Sequence, residues 1–387
     1  MDSIVIVSAK RTPLGAFNGN FKNTSTIELG KAVVAEVIKG ISDKIDSLYM
    51  GCVLPAGLGQ SPARQAALGA GLDYSVNCST INKICGSGMK SIMLARNAIL
   101  CGENEIVVAG GMESMSTAPY LLEKARFGYR YGDGKLVDHM VRDGLEDAYG
   151  KCVMGAYAES TAEFYSFSRE VQDKYAELSF IKARKAIEEG AFKNEIVPVT
   201  VKNKKSETII DTDEIPFSVN LEKIPTLRPA FKENGTVTAA SASSISDGAA
   251  AMVLMKESKA KQLNLEPIAR IIAQSSYSQD PKLFTTAPIG AIREILKKSG
   301  WQISDIDLFE INEAFAVVPM AAMQELNIPP EKVNVFGGGC ALGHPLGASG
   351  ARIVVTLLNA MKIKKAKRGL ATLCVGGGEG VALTVEM

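Results

Sequence analysis

The chain has 387 residues, of which 46% are hydrophobic, and it carries 43 basic and 42 acidic side chains. This hydrophobic content suffices for a large buried core in one large or two medium domains, which excludes a disordered chain. The nearly balanced charge gives no support to a general nucleic-acid-binding role or to a role at a membrane surface.

The cysteine pattern and the ends of the chain bear on the compartment. The seven cysteines are scattered and form no CxxC pair, so we interpret them as reduced thiols in a cytoplasmic protein. The first residues enter a strand-like run without a basic or amphipathic leader, and the last residues carry no peroxisomal signal. No apolar stretch approaches the roughly 20 residues that span a bilayer, so we expect no membrane association.

Strand-like and helix-like patterns alternate along the chain. A β-branched run at residues 4–7 predicts the first strand, and residues 28–39 predict a helix. Three further strands are predicted at residues 106–109, Leu308–Ile311 and 369–375, and glycines follow the first and the third of these. This alternation predicts an α/β fold with buried strands.

The sequence contains a weak internal repeat. The same spacing separates Ser87 from Ser349 and Asn97 from Asn359, and soon after each segment a strand ends in glycines followed by an acidic residue. Chance matching of small residues is the alternative. We favour duplication, because the order and the type of the elements agree as well.

The middle third of the chain has a different composition. It is rich in charged and turn residues, and it contains an amphipathic helix for which Ser168 is the expected N-cap and Gly190 the expected end. We therefore predict an inserted domain at residues 117–244. The first core half then comprises residues 1–116 and 245–267, and the second comprises residues 268–387.

The strongest candidate for chemistry is Cys85 in the CGSG motif. It directly precedes an apolar run at residues 89–100 that predicts a buried helix. A thiol at a helix N-terminus lies near free backbone N–H groups and the positive end of the helix dipole, and both favour a reactive thiolate. The alternative is a small buried packing cysteine, which is the usual role of a free thiol.

Three further segments contain candidate groups. His344 is one of only two histidines and lies in a glycine-rich loop before Pro345, which suits a positioned base, whereas His139 fits a surface position. Cys374 ends a predicted strand and precedes a run of glycines. Asn312 and Glu313 follow another strand, where their alternative role is to cap a helix.

Other chemistries find no support in the sequence. We find no P-loop, no GxGxxG after a strand and no GxSxG elbow. Two distant histidines and scattered cysteines do not form a zinc ligand set, so we predict no metal site.

These four segments, in this order, resemble the thiolase family, and the resemblance covers nearly the whole chain. It includes the early SAKRTPLG segment from Ser8 and the GGMESMSTAP segment from Gly110. The resemblance implies a five-layered αβαβα fold with two duplicated halves and a loop domain that covers coenzyme A. It also implies a homotetramer built from tight dimers. The reaction that it implies requires no metal or redox cofactor.

The resemblance also implies roles for the catalytic residues. Cys85 is acylated, His344 takes the thiol proton, and Cys374 exchanges the proton on the α-carbon of a second acetyl-CoA. Negative charge develops on thioester oxygens in such a reaction, so two oxyanion holes are expected. One is formed by His344 with a water held by Asn312, and the other by the backbone N–H groups of Cys85 and Gly376.

Several positions around the substrate depart from the family pattern. Val153, with Met154 after it, stands where acetoacetyl-CoA thiolases usually have a histidine in the acyl pocket. In the coenzyme-binding segment from Ala239, Ser243 is retained and is expected to contact the pantetheine. Phe315 completes the expected substrate-binding residues. Cys340 is an additional, non-catalytic thiol that we expect to pack in the core.

The leading hypothesis is an acetyl-CoA C-acetyltransferase that converts two acetyl-CoA molecules into acetoacetyl-CoA and CoA. The alternative is a 3-ketoacyl-CoA thiolase of broader chain length that acts in fatty-acid degradation. A decarboxylating ketoacyl synthase would need a second catalytic histidine, and His139 has no suitable setting. A catalytically silent acyl-CoA-binding protein would not need the complete set of four chemical groups.

Overall fold

The computed structural model describes residues 2–203 and 206–387. The first half of the core contains six strands and four helices within these residues: β1 (Ile4–Arg11), β2 (Gly15–Ala16), α1 (Thr26–Val37), β3 (Ser47–Gly51), α2 (Pro62–Gly69), β4 (Asn77–Ile81), α3 (Ser87–Leu100), β5 (Ile106–Ser114), β10 (Ser246–Lys256) and α7 (Glu257–Gln262). The middle segment, between β5 and β10, contains β6 (Tyr120–Leu121), β7 (Val137–Asp138), α4 (Met154–Phe164), α5 (Arg169–Glu188), β8 (Val199–Asn203), β9 (Ser206–Ile210) and α6 (Ile215–Ser218). The second half contains β11 (Ala269–Ser278), α8 (Ala287–Ser299), β12 (Leu308–Ile311), α9 (Val317–Leu326), α10 (Gly339–Leu342), α11 (Leu346–Lys364), β13 (Arg368–Val375) and β14 (Glu379–Glu386).

The two halves repeat one strand topology. The first half has the order β3-β5-β10-β1 and the second the order β12-β13-β14-β11, and in each the first pair is parallel and the others antiparallel. A short antiparallel contact between β1 and β11 joins the halves, so ten strands of the described chain form one continuous sheet. In the second half a turn of three residues, 376–378, connects β13 to β14. The middle segment occupies the equivalent position between β5 and β10.

Helices cover both outer faces of the sheet and fill the space between its two halves. Helices α1 and α2 pack on the outer face of the first half, and α8 and α9 pack on the outer face of the second. Helices α3 and α11 lie between the halves and share one apolar core with both of them. This arrangement has five layers, which confirms the fold class that the sequence predicts.

The two central helices approach each other closely through glycines. A Cβ atom on Gly88 would lie 2.7 Å from the backbone nitrogen of Ala351, and one on Gly350 would meet the backbone of Met89. A side chain at either position would therefore force the helices apart. The repeat seen in the sequence thus coincides with the place where α3 and α11 cross.

Two sequence-based expectations differ from the structure. Strand β5 extends to Ser114 through Gly110 and Gly111, whereas the β-branched run predicts an end at residue 109. Helix α11 is long and apolar enough to cross a membrane by length and composition, although no apolar stretch of that length was expected. Since 83% of its apolar window is buried inside the protein, α11 is explained as a core helix.

Candidate active site

A mainly apolar cleft of about 550 Å³ lies where the two halves and the middle segment meet. Seven of the nine residues that the sequence predicts for catalysis and binding line it: Cys85, Met154, Ala239, Ser243, Phe315, His344 and Gly376. The other two, Cys374 and Asn312, are fully buried and do not line it. Because its walls come from segments far apart in sequence, the cleft depends on the complete fold.

The loop before α3 holds Cys85 in a defined position. The side chain of Asn82 accepts a hydrogen bond from the Ile84 N–H (3.0 Å), and that of Ser87 accepts one from the Lys83 N–H (2.8 Å). Ile84 has a left-handed φ of 44°, which is rare for a β-branched residue. Such a conformation costs about 1–3 kcal/mol and is typical of functional sites.

Cys85 rests in the protonated thiol form. Burial raises the pKa of its thiol to about 11, while the backbone N–H groups of Gly376 and of Cys85 itself oppose this rise. The helix start therefore does not produce the resting thiolate that the sequence suggests, because burial dominates. The reactive sulfur needs a base, and two backbone N–H groups already converge on its position.

His344 is buried and neutral near pH 7. Burial lowers the pKa of its imidazole to about 3, and the positive charge of Arg352 lowers it further. Its Nδ1 contacts the hydroxyl of Ser349, and the Asn312 amide nitrogen lies 3.4 Å from its Nε2. A neutral imidazole in the same cleft as a protonated thiol has the protonation state that a general base requires.

Cys374 lies at the C-terminal end of β13, where it pairs with Gly380 of β14. Burial raises the pKa of its thiol well above the usual range, and the nearby Cys85 adds to the rise. The turn that follows places the backbone N–H of Gly376 at the Cys85 sulfur. Glu379, the first residue of β14 after this turn, forms an ion pair with Lys83, so the segments around the two cysteines are linked across the halves.

The sequence does not identify the groups that surround Asn312. The buried guanidinium of Arg352 donates to the Asn312 side-chain oxygen (3.3 Å) and lies 3.5 Å from the carboxylate of Glu310. Burial raises the pKa of Glu310 to about 8. Ser349 and Arg352 lie in the first two turns of α11, the helix that follows the His344 loop, and this position is the signal that could have identified them.

Two buried carboxylates brace the loops of the site. Glu113, whose pKa burial raises to about 7, accepts hydrogen bonds from the backbone N–H groups of Val53, Leu54 and Gly347 (2.8–3.1 Å). Glu313 accepts hydrogen bonds from four groups: the side chains of Tyr175, Ser179 and Asn334 and the backbone N–H of Cys340. Glu113 thus fixes the His344 loop, and Glu313 fixes the segment after β12, against elements that are distant in sequence.

The start of α9, Cys340 and His139 test three further predictions from the sequence. Helix α9 begins at Val317 without a side-chain cap, so the capping role considered for Asn312 and Glu313 is wrong. Cys340 is buried, as expected for a packing thiol. His139 is buried rather than exposed, because its Nδ1 contacts Asp143 (2.6 Å) and its Nε2 accepts from the Ala56 N–H.

Aromatic side chains form the apolar wall of the cleft. Phe315 packs edge to face against Phe231 and Phe284, with ring centroids 5.7 and 6.4 Å apart. Met154 and Val153 line the cleft as well, and Val153 is partly exposed to solvent. This wall suits an acyl or pantetheine chain better than a charged group.

No group of three or more potential metal-ligating side chains exists within residues 2–203 and 206–387. The groups arranged around the cleft are instead a thiol, a neutral imidazole and backbone N–H donors. Together they can perform nucleophilic catalysis on an activated carbonyl, with stabilisation of the oxyanion.

Comparison with known proteins identifies relatives over the full length of the chain. The family models described as thiolase N-terminal domain and thiolase C-terminal domain match residues 4–258 and 265–387. An acetyl-CoA acetyltransferase of Thiocystis violacea is 50% identical over 390 residues, covering 100% of this chain and 99% of that protein. A probable acetyl-CoA acyltransferase of Staphylococcus aureus (strain COL) is 48% identical, with the same coverage. The crystal structure of the Bacillus anthracis acetyl-CoA acetyltransferase superposes with a TM-score of 0.98 at 43% identity, covering 100% of this chain and 99% of that one.

Proposed function

The chain belongs to the thiolase family of acyltransferases, and we propose that it is an acetyl-CoA C-acetyltransferase, which reversibly condenses two acetyl-CoA molecules to acetoacetyl-CoA and CoA. The observation that carries the proposal is the convergence of Cys85, His344 and Gly376 on one apolar cleft. Full-length relatives described as acetyl-CoA acetyltransferases support the short acyl group.

In the first half-reaction, the neutral imidazole of His344 takes the proton of the Cys85 thiol. The thiolate attacks the carbonyl carbon of acetyl-CoA, and the backbone N–H groups of Cys85 and Gly376 stabilise the oxyanion. The tetrahedral intermediate then releases the CoA sulfur, which takes the proton of the Cys374 thiol, so Cys374 becomes a thiolate and His344 stays protonated. The product is an acetyl thioester on Cys85, so the enzyme follows ping-pong kinetics.

In the second half-reaction, Cys374 acts as a thiolate and removes a proton from the methyl group of a second acetyl-CoA. The resulting carbanion attacks the acetyl group on Cys85, a carbon–carbon bond forms, and the Cys85 sulfur leaves as a thiolate that takes its proton back from His344. Both cysteines are then thiols again, and His344 is neutral. The high pKa of the Cys374 thiol supports this role, because a strongly basic thiolate is needed to remove a proton from carbon.

His344 and Asn312 have a further part in this second step. The charge on the carbanion is shared with the oxygen of the acetyl-CoA thioester, which needs hydrogen-bond donors. The 3.4 Å contact between the Asn312 amide and the His344 ring supports a joint role at that oxygen. We propose that a water molecule held by Asn312 lies beside the ring and donates a hydrogen bond to the thioester oxygen together with His344.

The alternative is a 3-ketoacyl-CoA thiolase of broader chain length, and a chain-length profile distinguishes the two. We propose that Met154, Phe231, Phe284 and Phe315 restrict the acyl group to a short chain. Thiolysis of acetoacetyl-CoA should then have a higher kcat/KM than thiolysis of 3-ketooctanoyl-CoA. A clear preference for the longer substrate would reject acetoacetyl-CoA as the main substrate.

The same proposal makes the reaction independent of any metal or redox cofactor. Dialysis against EDTA should leave kcat unchanged, and a loss that added metal restores would contradict this point. We also propose a cytoplasmic homotetramer. The exposed aromatic side chains of Tyr120, Phe127 and Tyr131 in the middle segment support assembly, and light scattering measures it directly.

A further inference from the structure

The donors and acceptors around the His344 ring can be assigned by starting from Arg352. A guanidinium group has only donors. Because Arg352 Nη2 lies 3.3 Å from the Asn312 side-chain oxygen, that oxygen must face Arg352. The NH₂ group of Asn312 therefore faces His344, at 3.4 Å from Nε2 and 3.5 Å from Nδ1.

An amide NH₂ group also can only donate. Its distances to the two ring nitrogens, 3.4 and 3.5 Å, are nearly equal, so the contact with Ser349 decides which of them carries the proton. On the other side of the ring, Nδ1 contacts the Ser349 hydroxyl oxygen. That hydroxyl has a single proton, and it donates this proton to the carbonyl oxygen of Pro345, 2.9 Å away. Its oxygen is then free to accept a hydrogen bond from Nδ1–H.

We propose that Ser349 is a positioning residue that holds His344 in the Nδ1–H tautomer, so that Nε2 keeps the lone pair that takes the proton of Cys85. The hydrogen bonds run from Arg352 through Asn312 to Nε2, and from Nδ1 through Ser349 to the Pro345 carbonyl. Both contacts of the ring depend on α11, a buried helix that fixes Ser349 relative to Pro345. The catalytic consequence rests on the proposed function, but the tautomer itself does not.

The chain is well suited to a direct test, because it contains only two histidines. Ring-¹⁵N-histidine labelling gives two imidazole spin systems, and the His344→Asn variant assigns them. Magic-angle-spinning NMR distinguishes a protonated ring nitrogen from an unprotonated one in an assembly of any size. At pH 7 we expect His344 to show a protonated Nδ1 and an unprotonated Nε2. A protonated Nε2 in the wild-type protein would overturn the proposal.

The Ser349→Ala variant tests the role of the hydroxyl. We expect a mixture of the two tautomers at His344, an unchanged His139 signal, and acetylation of Cys85 that is at least about tenfold slower. Ser91→Ala is the matched control, because Ser91 is also buried in a helix and donates to the carbonyl four residues earlier (3.0 Å). This control should leave both the tautomer and the acetylation rate unchanged.

The outcomes separate the two proposals. If Ser349→Ala keeps the wild-type tautomer, Ser349 does not position the ring, whatever the activity. If acetylation is lost equally in Ser349→Ala and Ser91→Ala, the effect is structural and the positioning role is rejected. If the wild-type protein shows the expected tautomer but never acetylates Cys85, the proposed function fails and the account of the tautomer stands.

Discussion

Replacing His344 by Asn should slow the acetylation of Cys85 by about 10³-fold at pH 7. With a pKa of about 11, about one Cys85 thiol in 10⁴ is ionised at that pH without a base. General-base catalysis contributes about 10²–10⁴-fold, and a loss of 10³ corresponds to about 4 kcal/mol in the barrier. The burial of the thiol thus explains why a base is needed, and the range for general-base catalysis gives the size of the expected effect.

The pH dependence of this step gives a second, independent signature. Because the pKa of His344 is lowered to about 3, the wild-type base is neutral throughout the range from about pH 5 to 8, and the rate should stay flat there. In the variant, hydroxide must ionise the thiol, so the rate should rise about tenfold per pH unit up to the thiol pKa.

Single-turnover acetylation, followed by quenched-flow mass spectrometry of the Cys85 peptide, measures both quantities. His139→Asn is the control, since it removes the other histidine, which does not line the cleft. A loss of less than tenfold in His344→Asn, or a variant whose rate does not change between pH 6 and 9, would refute the role of His344 as the base.

Two further variants test the second half-reaction and the packing of the core. Cys374→Ser should still acetylate Cys85, but acetoacetyl-CoA formation should fall by about 10²-fold or more; equal loss of both steps would show a structural role instead. Gly111→Ala should lower the free energy of unfolding by about 3 kcal/mol in urea denaturation, because its Cβ would overlap the backbone oxygen of Gly347 at the start of α11. Gly102→Ala is its control, with a φ of 77° and no atom near the new Cβ, and it should cost only about 1 kcal/mol. A Gly111→Ala loss no larger than the control would contradict the close approach.

The α/β class, the repeat and the middle segment were predictable from patterns in the single sequence, whereas the five-layered arrangement was expected from the family resemblance. The repeat around Ser87 and Ser349 marks the two central helices, and the contrast in composition marks the middle segment. Strand β5 was underestimated, because Gly110 and Gly111 have low strand propensity and only the tertiary structure shows them inside a fully buried strand.

The position of a residue in the cleft was predictable where that residue lies in a motif of the family, whereas its catalytic role stays a prediction. Cys85, His344 and Gly376 each lie in such a motif, and the structure brings them to one cleft. The partners of His344 were not predictable in this way, since Arg352 acts through a contact with Asn312, forty positions earlier in the chain. The protonation of Cys85 also depends on burial, which is a property of the whole fold and outweighs the local effect of the helix start.

The misplacement of His139 has a similar cause. Its charged sequence neighbours favour a surface position, but the backbone N–H of Ala56 and the carboxylate of Asp143 satisfy both ring nitrogens in the folded chain. A histidine whose hydrogen bonds are complete can be buried without a catalytic role.

The acyl-enzyme itself is the most direct test of the account. The protein should be incubated with radiolabelled acetyl-CoA, digested and mapped, with Cys101→Ser as the matched control for Cys85→Ser because Cys101 is an exposed thiol at the other end of α3. We predict label on the peptide that contains Cys85, in the wild-type protein and in Cys101→Ser, and its transfer to acetoacetyl-CoA when unlabelled acetyl-CoA is added. Label on another residue, or acetoacetyl-CoA formation by Cys85→Ser at the wild-type rate, would contradict the account.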